Sequence, residues 1–139
     1  MPTFHFSQSI AVRYSDIDAQ GHVNNAKFIT FMEQARFAYA QTVGLWQVSQ
    51  GFEALGQIVA SVSCDYKRQV QLGQVVDVAV RVARVGNKSM DFEYRLSVDG
   101  EEVALGRTVQ VAYDFKAHQS IPVPADWRAK LAAFEGLAA

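Results

Sequence analysis

The stretch that decides the reading is Val12-Arg13-Tyr14-Ser15-Asp16-Ile17-Asp18-Ala19-Gln20-Gly21-His22-Val23-Asn24-Asn25, continuing as Ala26-Lys27-Phe28-Ile29-Thr30-Phe31-Met32-Glu33-Gln34-Ala35-Arg36-Phe37-Ala38-Tyr39. Ile10, Val12 and Tyr14 alternate at period two and predict the end of a strand, which breaks into a turn of Asp, Gly, His and Asn. A helix follows at once, from about Asn25 to Val43. Its apolar positions Phe28, Met32, Ala35, Tyr39 and Val43 recur at helical spacing, and Phe31 and Ala38 widen the stripe beyond what a surface helix needs. Asn24 or Asn25 is the expected cap, and Gly44 the stop.

A helix start offers backbone N–H groups without intrahelical partners and the positive end of the helix dipole. Such a place suits a carbonyl oxygen that becomes anionic. An acid just before it, Asp18, is positioned to attack a carbonyl or to deprotonate a water beside one. His22 lies between them. The same residue types are also ordinary turn and capping residues, so spacing alone leaves a structural role for the cluster open.

Working outward, a chain of 139 residues, half of them apolar, forms one domain over 1–139 with a core of useful size. Thirteen basic and fourteen acidic residues give a net charge of −1, mixed along the chain, which argues against a nucleic-acid binder. The N-terminus has no signal-peptide pattern and no apolar run reaches the length of a membrane span, so a soluble, cytoplasmic protein without a membrane partner is expected. Cys64 is the only cysteine, in an apolar alternation, and reads as a small core residue.

Phe4 and Phe6, then Ile10, Val12 and Tyr14, predict an opening strand with an irregularity near Ser7 to Ser9. Leu45 to Gly56 is too irregular to assign and reads as either a short helix or a loop lying over the core. From Gln57 the chain reads as a meander. Ile58, Ala60, Val62, Cys64 and Tyr66 form one apolar face, followed by Val76 to Val82 and, after the turn at Gly86 to Lys88, by Met90 to Val98. Asp99-Gly100 predicts a hairpin. The last strand carries Val103, Leu105, Val109, Val111, Tyr113 and Phe115 on one face, with small or polar Ala104, Gly106, Thr108, Gln110 and Ala112 on the other. Trp127, Leu131 and Phe134 make the stripe of a short C-terminal helix that docks on the sheet. The fold class is therefore α+β: one long central helix wrapped by an antiparallel sheet of about five strands.

Other chemistries lack their parts. His5, His22 and His118 fall in different elements without metal-ligand spacing, so no metal is assigned. No Gly-x-Ser-x-Gly elbow is present. Gly51 to Gln57 has the first two glycines of a phosphate loop but glutamine where lysine is required. Lys67 and Arg68, with Arg84 and Lys88, are placed to meet the phosphates of a nucleotide carrier or simply to solvate strand ends. Trp46, Phe52 and Leu55 offer an apolar lining for a pocket, or ordinary core packing.

The run from Asp16 to Asn25, followed by Phe31-Met-Glu-Gln-Ala-Arg36, resembles the hotdog-fold acyl thioesterases, specifically the group related to 4-hydroxybenzoyl-CoA thioesterase and the plant acyl-carrier-protein thioesterases. The match is dense over Val12 to Arg36. Elsewhere only the order and length of elements agree. The resemblance implies a hotdog fold and hydrolysis of an acyl thioester of coenzyme A or acyl carrier protein, with the carrier as part of the substrate and no separate cofactor. It implies Asp18 as the catalytic carboxylate and the backbone N–H groups of Val23, Asn24 and Asn25 as the oxyanion hole, with His22 and the Asn25 side chain positioning substrate.

In the plant enzymes the matching turn carries an acid, an amide and a histidine, which fall on Asp18, Gln20 and His22. Gln20 stands where those have asparagine, and their further acid falls near Gln69, so the plant mechanism does not transfer. Substrate contacts are expected at Trp46, Phe52, Lys67 and Arg68. With no charge partner evident beside the aromatic residues, neutral acyl or aroyl groups are expected in preference to dicarboxylic ones. A homodimer, or a tetramer of such dimers, is expected with active sites across the interface. The competing classes are a non-catalytic acyl-thioester binding protein and a hotdog dehydratase or hydratase, whose relatives place their catalytic residues differently.

Overall fold

Residues 2–138 are described by a computed structural model. In chain order the elements are β1 (Ser7–Ala11), α1 (Asn25–Val43), β2 (Gln57–Tyr66), β3 (Val75–Val85), β4 (Ser89–Val98), β5 (Glu101–Asp114), β6 (Gln119–Ser120) and α2 (Ala125–Glu135). Short 3-10 turns cover Tyr14–Asp16, Val48–Gln50 and Phe52–Leu55. The strands pair antiparallel in the order β1-β3-β4-β5-β2, with β6 joined to the end of β5.

Helix α1 begins where the Asn24 side chain accepts from the Ala26 amide and ends at Gly44, whose φ of 91° is the left-handed geometry that glycine adopts without strain. The Lys130 ammonium of α2 donates to the Gly44 carbonyl at 2.8 Å, answering the negative end of the helix. Met32, Ala35 and Tyr39 are fully buried against the sheet, where Val76, Val78 and Val80 of β3 are equally buried. On β4 the alternation is regular, with Met90, Phe92, Tyr94, Leu96 and Val98 inward.

Strand β5 inverts the simple expectation that the larger apolar face turns inward. Ala104, Thr108, Gln110 and Ala112 are buried, whereas Leu105, Val109 and Val111 are only half-buried; Val103, at the start of the strand, is the exception and is buried. The cause is the closeness of α1: a Cβ added at Gly106 would lie 2.6 Å from the Met32 sulfur, so only small side chains fit beneath the helix there.

Two further differences from the sequence reading concern strands. The opening strand is β1, over the Ser7–Ala11 segment where an irregularity was expected, and Tyr14 lies outside it, 84% exposed. The Asp16 carboxylate accepts the Arg13 amide at 2.8 Å, which turns the chain off the sheet directly after Val12. Strand β2, expected to bury one face, is an edge strand with a single neighbour, and Ile58, Val59, Val62 and Tyr66 remain 39–42% exposed.

Helix α2 docks through Trp127 and Leu131, with Phe134 edge-on to Tyr39. Its Glu135 carboxylate accepts both the Tyr39 hydroxyl and the Val82 amide, at 2.9 Å for the latter. Burial, with Glu135 beside it, pushes the Tyr39 phenol well above its ordinary pKa, so it stays a donor. Glu135→Ala leaves two buried donors unpaired and is expected to cost about 1–3 kcal/mol in urea denaturation, against about 1 kcal/mol for Tyr39→Phe.

Candidate active site

The turn before α1 is a closed loop. Ile17 and Val23 form an antiparallel bridge at its base. The Asp18 amide donates to the His22 carbonyl and the Gly21 amide to the Asp18 carbonyl, each at 3.0 Å. Gly21 has a φ of 84°, which lets so short a loop reverse direction. Past the bridge, the Val23 amide donates to Val70 at 2.7 Å and the Asn24 amide to Asp16 at 2.9 Å, and the helix starts at the next residue. The loop thus brings Asp18 and His22 together beside the first turn of α1.

The two acids of the turn differ completely in surroundings. Asp16 is fully buried, bonded to the Arg13 amide and guanidinium, with the Lys27 ammonium at 3.9 Å. It holds the turn. Asp18 is half-buried, and its Oδ1 accepts the Gln20 amide at 2.9 Å. No ion pair engages it among the described residues. Its carboxylate is therefore the one the fold leaves open to a reacting group, with His22 half-buried across the loop.

The proposed oxyanion hole of Val23, Asn24 and Asn25 needs correction. The first two amides are already donated to Val70 and Asp16, and the Ala26 amide to the Asn24 side chain. A donor so engaged has no second hydrogen to offer. Asn25 alone of the three has an amide with no recorded partner, at the positive end of the helix. The Asn25 carbonyl accepts the Tyr66 hydroxyl at 2.9 Å, tying the helix start to β2. Burial raises the Tyr66 phenol, which keeps it a donor. No sequence signal singled out Tyr66, because a tyrosine in an alternating strand reads as packing.

The expected substrate contacts are not brought to Asp18 within one chain. Trp46 is buried and stacks on the exposed Phe52 at 5.6 Å, both against Phe37, at the C-terminal end of α1. Phe37 is twelve residues into α1 from Asn25, which separates the two places by about 18 Å along the axis. Lys67 and Arg68 stand near the Tyr66 end of β2, but each faces an acid of β5, Glu102 at 3.7 Å and Glu101 at 2.6 Å. These exposed pairs add little stability, yet they reduce the charge offered to a carrier phosphate.

A helix wrapped by a curled antiparallel sheet, with an open carboxylate at the helix start, defines a hotdog thioesterase-type domain. The chain belongs to the thioesterase-like superfamily, whose family model matches residues 12–131. A thioesterase from Thermus thermophilus, in complex with coenzyme A and Zn, superposes with a TM-score of 0.85 at 34% identity over 98% of each chain. The acyl-CoA thioesterase YbgC of Haemophilus influenzae is 33% identical over 66% of this chain and 68% of its own. A 4-hydroxybenzoyl-CoA thioesterase complexed with 4-hydroxybenzoyl-CoA shares the fold, with a TM-score of 0.82 at 15% identity, over 91% of this chain and 97% of its own.

The division of labour between the two acids is measurable. Asp16→Ala is expected to lose about 1–3 kcal/mol in chemical denaturation by orphaning the Arg13 amide. Asp18→Asn should keep its stability within about 0.5 kcal/mol of wild type.

Proposed function

We propose that this thioester hydrolase cleaves acyl-coenzyme A thioesters to the free acid and coenzyme A, with Asp18 as nucleophile or general base. The observation that carries the reading is the bridged Ile17–Val23 loop, which holds an unpaired carboxylate beside the helix start where the Asn25 amide is free. Family membership and the acyl-CoA thioesterase relative support the substrate class.

In this reading the thioester carbonyl oxygen accepts the Asn25 N–H. As the carbonyl carbon becomes tetrahedral, the helix dipole and that N–H stabilise the growing negative charge. The Asp18 carboxylate either bonds to the carbonyl carbon or takes a proton from a water that does so. Breaking the C–S bond releases coenzyme A as thiolate, which takes up a proton. On the direct route water then opens the acyl anhydride of Asp18. His22 and the Asn25 side chain are assigned to positioning the substrate.

The reading extends to a homodimer. Edge strand β2 has ten residues without proline or lysine and apolar side chains exposed on both faces, a template for pairing with a second copy. Two-fold antiparallel pairing lays the Gln57 end of each β2 beside the Tyr66 end of the other. The aromatic cluster of Trp46 and Phe52 then approaches the Asp18 loop of the other copy, which one chain cannot achieve. Sedimentation is expected to give a dimer, and Val62→Lys to lower dimer fraction and activity together. A fully active monomer at assay concentration contradicts this assembly.

Asp18→Asn tests the chemistry. Asparagine keeps the shape and still accepts the Gln20 amide, but has no charge with which to attack or to take a proton. A loss of at least about a hundredfold in kcat is expected in a thiol-release assay over a panel of acyl-CoA thioesters. Retention of most of kcat moves the chemistry away from Asp18.

A further inference from the structure

A second polar place lies between α1 and the Gln57 end of β2, away from the Asp18 loop. A cavity of about 110 Å³ is walled by Phe37, Leu55 and Val59 and also by three polar side chains, Arg36, Gln57 and Gln110. Arg36 is only 7% exposed, Gln57 9% and Gln110 1%. The Arg36 guanidinium donates from Nη1 to the Tyr94 hydroxyl at 3.2 Å, its one recorded hydrogen bond among five available N–H groups. Tyr94 in turn shares a hydrogen with Thr108 at 2.8 Å. No carboxylate pairs with Arg36 among the described residues. On the same wall, Gln110 Nε2 is buried without any partner.

A buried cation without a counter-ion is costly, and so is a buried amide without a partner. Both costs fall on one small cavity, and both unmet groups are donors. What satisfies them together is an acceptor of negative charge, for which the fork of a guanidinium is the usual receptor. The cavity's other walls are apolar, and it adjoins Phe37, against which Trp46 and Phe52 pack. An occupant with an apolar body and an anionic tip fits this lining.

We infer that the Arg36 cavity receives the distal end of the acyl group, and that the preferred substrates carry a carboxylate there. The inference rests on the acyl-thioester reading above and reverses the expectation of neutral substrates, which took account of the aromatic residues but not of a helix arginine turned inward. In the dimer proposed above, the cavity lies beside the Trp46 and Phe52 cluster that approaches the Asp18 loop of the other copy, so the acyl tip rests in one copy while its thioester is held by the other.

The test uses the full-length protein and a length series of acyl-CoA thioesters, each made with a terminal methyl and with a terminal carboxylate. Binding of the matching S-alkyl and S-(carboxyalkyl) thioethers of coenzyme A, which are not hydrolysed, is measured by calorimetry. Wild type is expected to favour the carboxylate end by about tenfold or more in kcat/KM at its best length, the size of one charge-assisted hydrogen bond. Arg36→Met, which fills similar volume without charge, should abolish that ratio. Gln110→Glu puts an anion into the same cavity without removing Arg36, and should abolish it too, so the result does not depend on one variant folding. A preference for methyl ends, or a carboxylate preference that both variants retain, overturns the inference, as does a cavity holding water only, which gives no discrimination. Failure to hydrolyse any thioester, with thioether binding still carboxylate-selective and lost in both variants, overturns the hydrolase reading and upholds the cavity.

Discussion

The close seating of α1 on the concave side of the sheet is the constraint from which the rest of the structure follows. Met32 has no exposed surface and rests where β5 carries Gly106, and a single added carbon at that glycine would collide with it. Because the helix lies so near, the inward face of β5 from Ala104 to Ala112 is built of alanine, glycine, threonine and glutamine, and Leu105, Val109 and Val111 turn outward. Shape complementarity thus overrides the ordinary preference for placing the larger apolar face inside. The helix, once fixed, presents its first turn at one end of the sheet and its arginine to the interior.

At that first turn the fold sorts two aspartates that are two residues apart. Asp16 is drawn inside, where the Arg13 amide and guanidinium meet it, and its carbonyl receives the Asn24 amide. Asp18, just past the bridge residue Ile17, remains half-open with one oxygen committed to Gln20. Rigidity comes from the first acid, and the second is the one proposed to react. The backbone is equally economical: of the amides near the helix start, most close the loop or the cap, and the Asn25 amide is left over.

Past the middle of α1, Arg36, with Gln110 of β5, buries polar groups that the chain itself does not satisfy. Along the flank, β2 leaves one edge and several apolar side chains uncovered. Unmet polar groups inside and unmet apolar groups outside are both unfavourable for an isolated chain. Binding removes each cost: the proposed ligand tip in the first case and the proposed second copy in the second.

The elements themselves were legible in the residues. Periodicity marked α1 from Asn25 to Val43, cap and stop included, and the alternations of β3 and β4, because those segments meet the core on one face and so write the period of their backbone into the chain. The Asp18 loop was legible for a similar reason: a turn that feeds a helix needs glycine, acid and amide at set places. Four matters were decided only by tertiary structure. Which face of β5 is inner depends on how near α1 passes. Whether the apolar residues of β2 are covered depends on its place at the sheet edge. Which amides remain free depends on partners as distant as Val70, and the inward turn of Arg36 depends on Tyr94 across the core. A local pattern records the conformation a segment takes, whereas each of these turns on what a segment meets, and that is set by contacts between residues far apart in the chain.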